Sequence, residues 1–392
     1  MLRNKMMAVM SAVNNDVAER EDLVECIAIA LLTRKNLFIL GDTGQAKSYA
    51  INQFRKRIMG AKQYERLLSK QTDEEALFGR IDLKSLIDGN PKMITKGKIP
   101  DCHIAFLDEI FKSNEGVLNS LLTALNERRY TNESETVDIP VISFMSASNE
   151  IPNFSDPSER ILKPLYDRFE LKIITRYIES RDKRLEMLAL KQAPRSRSVD
   201  TDFITLNELC EMQREVSEIY ISGPINELMD DLLCGLRRLG IHISDRKYLN
   251  YSPIVCAKAW LEGRKSVVSA DLLVLKNYLW TVPEEIAAIE QTLERLCVNP
   301  LQEKLREIEA IAKDTFDDFI ANRDNRNAMK KYRGEMVRIY DMTLEQLSKA
   351  AGDNEKQMVN MTLESLEKYS MSAHEKSIFT YAPLAELKEL AS

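Results

Sequence analysis

Cysteine and histidine are scarce in this sequence, and their spacing forms no recognisable site. There are three histidines, and no two cysteines form a C-x-x-C pair. The six cysteines are Cys26, Cys102, Cys210, Cys234, Cys256 and Cys297. Thiols scattered in this way predict reduced core residues, no metal site built from cysteine or histidine, and a cytoplasmic protein.

Long apolar runs and an excess of positive charge are missing as well. The apolar runs fall far short of the roughly 20 residues of a transmembrane helix, and residues 1–14 lack the apolar segment and cleavage site of a secretion signal. Lysine and arginine number 55 against 61 acidic residues, so the net charge is −6. A mildly acidic chain is a poor general binder of nucleic acid. The net charge does not exclude a nucleic-acid motor with a local basic pore inside an acidic body.

What the chain does contain is typical of a soluble α/β protein. Its 392 residues are 44% hydrophobic and 30% charged, which predicts two or three globular domains. Short apolar strands alternate with helices, and this alternation predicts a parallel sheet with helices on both faces. The predicted strands are Leu37–Leu40, Gln63–Leu68, His103–Leu107, Val141–Ser146 and Leu171–Thr175.

The domain boundaries follow from changes in this pattern. We predict a nucleotide-binding sheet domain over 1–180, a helical lid domain over 181–299 and a helical extension over 300–392 that serves as a partner or assembly module. Two hairpins are predicted inside the sheet domain, one over residues 81–99 and one over residues 130–139. The hairpins are either working parts of the site or surface decoration.

The first predicted strand leads into a loop that is typical of phosphate binding. The loop residues are Gly41, Asp42, Thr43, Gly44, Gln45, Ala46, Lys47 and Ser48. In such a loop the backbone N–H groups and the following helix N-terminus face the phosphates, the lysine reaches the β- and γ-phosphates, and the serine hydroxyl ligates Mg²⁺. The alternative is a strand–turn–helix whose glycines serve only the turn.

One residue departs from the usual G-x-x-x-x-G-K-[ST] pattern. Ala46 replaces the last glycine of that motif. We expect the methyl group to be tolerated because the position already turns into a helix, where alanine is favoured.

Two adjacent carboxylates follow the third predicted strand. Asp108 and Glu109 end the apolar run 103–107, 60 residues after Ser48. The carboxyl ends of parallel strands are where an open sheet binds its ligands, and successive side chains of a strand diverge. We therefore expect Asp108 to hold Mg²⁺ and Glu109 to activate the attacking water. A solvated strand end is the alternative.

Two further residues complete the predicted site. Asn149 ends the strand 141–146 region and is expected to orient the water or to contact the γ-phosphate; a turn-forming asparagine is the alternative. Arg168 precedes the last strand and is expected to stabilise charge at the γ-phosphate of a neighbouring subunit. Its alternative is a surface ion pair with Asp167.

Taken together, these motifs resemble those of the AAA+ ATPases. Three segments are similar in sequence to the MoxR group and, within it, to the RavA-type regulatory ATPases. They are Gly44–Ser48, Phe106–Lys112 and Leu118–Arg128. The resemblance covers about Glu19 to Leu279. RavA-type proteins have a small β-rich domain after the lid, whereas this sequence shows no β-rich segment after residue 301.

The resemblance implies specific roles. Asn149 corresponds to sensor 1, Arg168 to the arginine finger and Arg246 to sensor 2, and the adenine is expected near Glu19–Leu23. A helix-end arginine paired with Asp245 is the alternative for Arg246. The two hairpins are implied to line the axial face of a ring. Arg128 and Arg129 either face a neighbouring subunit or form a solvated helix end.

Three functions remain in competition on the sequence. The leading one is an ATP- and Mg²⁺-dependent hexameric ring that remodels or assembles partner proteins, with a von Willebrand A-domain (vWA) protein as the partner implied by the resemblance. The second is a nucleic-acid-stimulated motor or a nuclease-coupling NTPase of a defence system, which the lysines of the first hairpin would serve. The third is a scaffold that binds nucleotide and assembles without turnover.

Overall fold

The computed structural model describes residues 1–88, 92–132, 135–192, 203–298, 300–322, 327–349 and 353–391. The chain divides into two compact units, Met1–Glu290 and Gln291–Ser392. The sheet and most of the predicted lid therefore lie in one unit, and the separate boundary at residue 180 stays a prediction. Within the described ranges no helix is both long enough and apolar enough to span a membrane.

The first unit is built on a five-stranded sheet. Its strands are β1 (Leu37–Leu40), β3 (Gln63–Leu67), β6 (Ile104–Asp108), β9 (Ser143–Ser148) and β10 (Leu171–Ile174). They lie in the order β10-β1-β9-β6-β3, and every neighbouring pair is parallel. The predicted parallel sheet and its five strands are confirmed. Helices cover both faces, which is why β9 is buried along its whole length.

Helices α1 (Leu2–Asp16), α2 (Glu21–Thr33), α3 (Lys47–Lys56) and α6 (Glu115–Glu127) accompany this sheet. We expected one helix over residues 16–34, but the chain breaks at Glu19, whose φ is 54°. Helix α1 was missed, although Met6, Val9, Met10 and Val13 have helical spacing and are buried. Helix α2 is apolar almost all round, which is the pattern of a helix enclosed in a core.

The two predicted hairpins differ in outcome. Strands β7 (Arg129–Asn132) and β8 (Glu135–Asp138) form the second hairpin as predicted, with part of its turn outside the described residues. The first is largely wrong: β4 (Arg80–Ile81) and β5 (Met93–Ile94) pair only briefly, and α5 (Leu83–Ile87) replaces the predicted strand. Asp82 favours this helix because its carboxylate accepts a hydrogen bond from Lys84 N at 3.2 Å. The predicted turn 89–91 lies outside the described residues.

The rest of the first unit is mainly helical, as predicted. It contains α4 (Glu74–Phe78), α7 (Lys163–Tyr166), α8 (Arg181–Gln192), α9 (Leu206–Ser217), α10 (Gly223–Arg238), α11 (Asp245–Leu249), α12 (Ser252–Leu261) and α13 (Lys276–Leu279). Residues 269–275 form a 3₁₀ helix, and β11 (Ile204–Thr205) pairs with β2 (Ile58–Met59). The expectation that all thiols are core residues is wrong for Cys210 and Cys234, which lie on the exposed faces of α9 and α10.

The second unit is a helical bundle with its own core. Helix α14 (Ile286–Cys297) leads into α15 (Pro300–Ala321), α16 (Ala328–Lys349) and α17 (Asp353–Glu375), which pack pairwise. Its core includes Leu305, Phe319, Met336, Val359 and Leu366. The charged, proline-poor composition of residues 301–390 predicts two or three long helices. The described residues of this region form three, and a short further helix, α18 (Leu384–Ala391), was missed.

One charged side chain inside the first unit has no partner. Lys172 on β10 is fully buried, its Nζ accepts and donates no hydrogen bond, and it lies 4.4 Å from the centre of the Tyr166 ring. Burial, followed by the charge of Lys247, lowers the pKa of Lys172 well below its ordinary value. Protonating this amine is therefore less favourable in the folded chain than in the unfolded chain, so Lys172 opposes folding at pH values below the ordinary lysine pKa.

We expect Lys172→Met to raise the free energy of unfolding at pH 7 by about 1–3 kcal/mol, because it removes the cost of burying the amine. In the parent protein the unfolded chain holds the extra proton, so stability rises with pH up to the ordinary lysine pKa. This rise becomes smaller in Lys172→Met. Denaturant unfolding from pH 7 to 10 measures both effects, with exposed Lys70→Met as the control. A clear loss of stability in Lys172→Met would show instead that a charged amine stabilises the fold through Tyr166.

Candidate functional site

The phosphate loop leaves the sheet at β1, one of its inner strands. Gly41 N donates to Ser148 O at 3.0 Å, which holds the start of the loop to the end of β9. A Cβ atom at Gly41 would overlap the side chains of Thr175 and Gln45. Glycine is therefore needed here for close approach of the backbone to its neighbours, and the loop delivers Lys47 as the first residue of α3.

A buried arginine holds the loop from outside. Arg20 is only 6% exposed, and its Nε and Nη2 each donate to Gln45 O at 3.2 Å. The same guanidinium donates to Arg176 O at 2.6 Å and to Glu19 O at 2.7 Å. These bonds tie the loop to the segment after β10 and to the break before α2. Thr175 adds a hydrogen bond of 2.7 Å to Gln45 Oε1.

Ala46 is tolerated for a different reason from the one we expected. It lies before the helix in the left-handed region, with φ 60° and ψ 23°, rather than in a helical conformation that favours alanine. An L-residue in this region is strained by roughly 1–2 kcal/mol. The contacts of Gln45 on one side and the helix on the other hold this conformation.

Lys47 points back toward its own loop. Its ammonium donates to Gly41 O and lies 3.3 Å from Asp42 O and 3.5 Å from Ser148 O. Burial lowers the pKa of Lys47, while the negative charges of Asp108 and Glu109 act in the opposite direction. The structure thus brings the predicted lysine within electrostatic reach of the predicted carboxylates.

Asp108 and Glu109 diverge through a turn rather than through the pleat of a strand. Asp108 is the last residue of β6, and Glu109 has a left-handed backbone with φ 55°. Burial, and then the charge of Glu109, raise the pKa of Asp108. Oε2 of Glu109 is buried and accepts no hydrogen bond, although Lys112 Nζ lies 3.3 Å away.

These residues fit a magnesium ion. Mg²⁺ prefers oxygen ligands and is usually held by one or two carboxylates together with phosphate oxygens. Ser48 and Asp108 supply a hydroxyl and a carboxylate. Burial and then the charge of Glu109 raise the pKa of Asp108, and a bound cation would oppose this shift. Oε2 of Glu109, which forms an ion pair with Lys112 at 3.3 Å but accepts no hydrogen bond, is a further acceptor.

Asn149 lies at the same edge of the sheet as the loop and the carboxylates. It directly follows β9, which is placed between β1 and β6, and its side chain is exposed. The sheet order therefore places the predicted sensor between the predicted lysine and the predicted acidic pair.

Arg168 and Arg246 lie elsewhere, in a different cavity. This cavity of about 620 Å³ is lined by no residue of the phosphate loop. The basic residues that line it are Lys35, Lys163, Arg168, His242, Arg246 and Lys247. Burial, and then the charge of Arg246, lower the pKa of Arg168, so the two guanidinium groups repel each other.

The alternatives for these arginines are not what the structure shows. Arg246 donates to Asn126 Oδ1 at 3.1 Å, while Asp245 pairs with Arg237 at 3.6 Å. Nε of Arg168 is buried without a hydrogen-bond partner. Both side chains thus have capacity left for an anionic ligand.

Arg128 has a structural role within its own chain, whereas Arg129 is exposed on the second hairpin; contact of either residue with a neighbouring subunit stays a prediction. Arg128 donates to Leu125 O at 2.7 Å and to Asn36 Oδ1 at 2.7 Å, and burial lowers its pKa to about 10. It closes α6 and ties it to the start of β1. Arg129 pairs across the second hairpin with Asp138 at 2.9 Å.

The predicted adenine region lines a cavity of about 550 Å³. Glu19–Leu23 form one side of it, and Tyr177, Asn277 and Trp280 contribute to the others. Glu19 also accepts hydrogen bonds from Glu179 N and Ser180 N, both at 2.8 Å. These backbone bonds lower the pKa of Glu19.

Sequence reasoning missed Arg20, Thr175 and Lys112. A charged residue directly before a helix, as Arg20 is before α2, gives no local sign of burial. Thr175 and Lys112 are common residue types whose roles depend on neighbours distant in sequence. Only Lys112 had a usable signal, because it lies three residues after Glu109, the spacing of side chains that meet on one turn.

Comparison with known proteins decides the family. Residues 4–214 match the MoxR domain of the MoxR-vWA-beta-propeller ternary systems. Residues 225–293 match an AAA lid domain. The chain belongs to the MoxR family of AAA+ proteins. The lid match lies inside the predicted lid region and covers Arg246.

Relatives of this MoxR chain occur in an archaeon and a virus. Two uncharacterized proteins of Methanocaldococcus jannaschii are 30% and 32% identical, covering 74% and 69% of this chain and 74% and 70% of their own lengths. A structural protein of Acidianus two-tailed virus is 26% identical over 75% of this chain and 52% of its own length. The crystal structure of a putative ATPase from Cytophaga hutchinsonii has the same fold, with a TM-score of 0.60, 19% identity, and coverage of 75% of this chain and 94% of that one.

We expect Gly41→Ala to lower the free energy of unfolding by about 1–3 kcal/mol, because the added methyl group must displace Thr175 or Gln45. Ala46→Gly is expected to act in the opposite direction, by about 1 kcal/mol, because it relieves a left-handed alanine. Thermal and denaturant unfolding measure both changes. Gly223→Ala, where a methyl group meets open space, serves as the control. Equal stability of Gly41→Ala and the parent would contradict the close approach.

Proposed function

We propose that this MoxR chain hydrolyses ATP at a seam between two copies in a hexameric ring. The observation that carries the proposal is the separation of the charged groups within one copy. Lys47, Asp108 and Glu109 lie where the strands end, whereas Arg168 precedes β10 and shares a cavity with Arg246. A single copy therefore offers two half-sites, which a head-to-tail ring joins.

The first half-site binds the phosphates of ATP and activates the attacking water. Backbone N–H groups of the loop and the start of α3 contact the phosphates, and Lys47 turns from Gly41 O to the β- and γ-phosphate oxygens. Glu109 takes a proton from the attacking water through Oε2, which accepts no hydrogen bond although it forms an ion pair with Lys112 Nζ at 3.3 Å, and Asn149 orients that water. Magnesium, held by Ser48 and Asp108, neutralises charge on the phosphates when it is bound.

The second half-site stabilises the transition state. Arg168 and Arg246 of the neighbouring copy reach the γ-phosphate, where charge spreads over the equatorial oxygens. Nε of Arg168 is buried without a hydrogen-bond partner in its own copy, and an anion would relieve the repulsion between the two guanidinium groups. In this proposal the same copy supplies both the sensor-2 arginine, Arg246, and the arginine finger, Arg168.

We expect Glu109→Gln to bind ATP and Mg²⁺ with nearly unchanged affinity but to lose turnover by at least about 10²-fold, because the amide cannot accept the proton from water. A filter-binding assay and phosphate release measure the two quantities. Glu127→Gln, an exposed carboxylate at the end of α6, is the control. Hydrolysis by Glu109→Gln at the parental rate rules out this residue as the base.

The two half-sites can be tested by mixing inactive variants. Lys47→Ala and Arg168→Ala are each expected to lose roughly 10³-fold in turnover. When they are mixed in equal amounts, about a quarter of the seams contain an intact loop from one variant and an intact arginine from the other, so activity returns in part.

A mixture of Lys47→Ala with Glu109→Gln is the matched control, because both lesions lie in the same half-site and no seam is intact. If the first mixture regains nothing while the ring still assembles, the arginine does not act across the seam. Productive single-turnover hydrolysis by the parent excludes the scaffold without turnover.

A polypeptide is the better candidate for the remodelled partner. Helix α5 exposes three large apolar side chains to solvent. Their exposed fractions are 71% for Leu83, 49% for Leu86 and 85% for Ile87. Large apolar side chains on an exposed helix bind polypeptide rather than phosphate backbone. The matched MoxR domain is described for systems with vWA proteins, which supports the proposal of a vWA partner. The RavA-type subclass, the hexamer and a cytoplasmic location stay predictions.

A further inference from the structure

Helix α8 is left uncovered by the part of the chain that the structure describes. None of its residues, 181–192, is buried. Leu185, Leu188 and Ala189 recur at helical spacing and form one apolar face, with the two leucines 47% and 53% exposed. Leu190, 54% exposed, lies on the opposite face. A helix with an uncovered apolar face of this kind marks a contact with another molecule.

The base of α8 is held firmly beside the adenine cavity. Glu19 accepts hydrogen bonds from Glu179 N and Ser180 N at 2.8 Å, and Arg184 donates to Ile178 O and Glu179 O at 2.7 Å. Glu19 and Glu179 also line that cavity. The helix therefore projects from the edge of the sheet where the strands end, next to the first half-site.

An apolar groove lies at the opposite edge. It has a volume of about 600 Å³ and is lined largely by the carbon atoms of Leu32, Val216, Ile219, Tyr220, Pro253 and Cys256. Its Tyr220 side chain is 65% exposed. Arg34 lines this groove and Lys35, the next residue, lines the cavity of Arg168 and Arg246. Neighbouring residues of the chain thus line the groove and the cavity of the second half-site.

The two surfaces match in chemistry and in position. Helix α8 contains four basic and two acidic residues, whereas residues 206–218 beside the groove contain four glutamates and one arginine. Each apolar surface adjoins one half-site, so joining the half-sites of two copies brings α8 of one toward the groove of the other. A patch and a groove at opposite edges form a head-to-tail contact, the kind that closes rings.

We propose that α8 of one copy docks its Leu185–Leu188 face into the groove around Tyr220 of the next copy. This inference rests on the proposed function, because it assigns the contact that holds the seam beside the nucleotide. The occupant of the groove is a second copy of this chain.

The test compares two faces of one helix. Leu185→Glu combined with Leu188→Glu is expected to raise the dissociation constant of self-association, in ATP and Mg²⁺, by at least about tenfold, because it buries charge in an apolar groove. Leu190→Glu, the same change on the opposite face, leaves assembly at the parental level. Sedimentation velocity measures assembly, and ATP binding by the monomer shows that each variant is folded.

A disulfide tests the pairing directly. Leu188→Cys and Tyr220→Cys are made in separate chains in which the exposed Cys210 and Cys234, and Cys256 of the groove itself, are replaced by serine. After mixing and mild oxidation, a covalent dimer is expected from the mixture and not from either variant alone. Leu190→Cys mixed with Tyr220→Cys yields none.

The outcomes separate the two proposals. Suppose that the parent assembles and hydrolyses ATP, that the double glutamate variant assembles equally well, and that residues 188 and 220 form no disulfide. The proposed docking of α8 is then wrong, whereas the proposal of ATP hydrolysis at the seam is unaffected. If the parent stays monomeric in ATP and Mg²⁺, both proposals fall.

Discussion

The buried guanidinium of Arg20 is the constraint on which the candidate site depends. It donates to carbonyl oxygens of Gln45, Arg176 and Glu19, three segments far apart in the sequence. A buried charge is destabilising unless its hydrogen bonds are satisfied, so each of these carbonyls must stay in place. The phosphate loop, the exit from β10 and the break before α2 are thereby fixed as one body, and the left-handed Ala46 persists within it.

The arrangement of the sheet could be predicted because its signal is local. Strands β1, β6 and β10 are rich in isoleucine, leucine and phenylalanine, the pattern of buried parallel strands, and all five strands were found in the sequence. Helix α5 could not be found in this way, because Leu83, Leu86 and Ile87 are compatible with either a strand or a short helix. The capping carboxylate of Asp82 decided between them. The choice between helix and strand was thus predictable for segments buried on both faces. It was ambiguous for the exposed segment that forms α5.

The candidate site divides along a similar line. Gly41, Lys47, Asp108 and Glu109 were predictable because phosphate and metal chemistry demands those residue types at fixed places around strand ends. The conformations of Ala46 and Glu109 were not, since each is set by contacts across the fold. The grouping of Arg168 with Arg246 also depends on how the helices after the sheet pack against it, and no spacing in the sequence reports that.

Glu19 joins two properties that are usually described separately. Its left-handed backbone borders the cavity expected to receive the base, and its carboxylate fastens the chain from which α8 projects. The cavity and the base of α8 therefore share one residue. If a ligand in the cavity changes how tightly α8 is held, thermodynamic reciprocity requires that a molecule bound to α8 change the affinity for that ligand by the same factor.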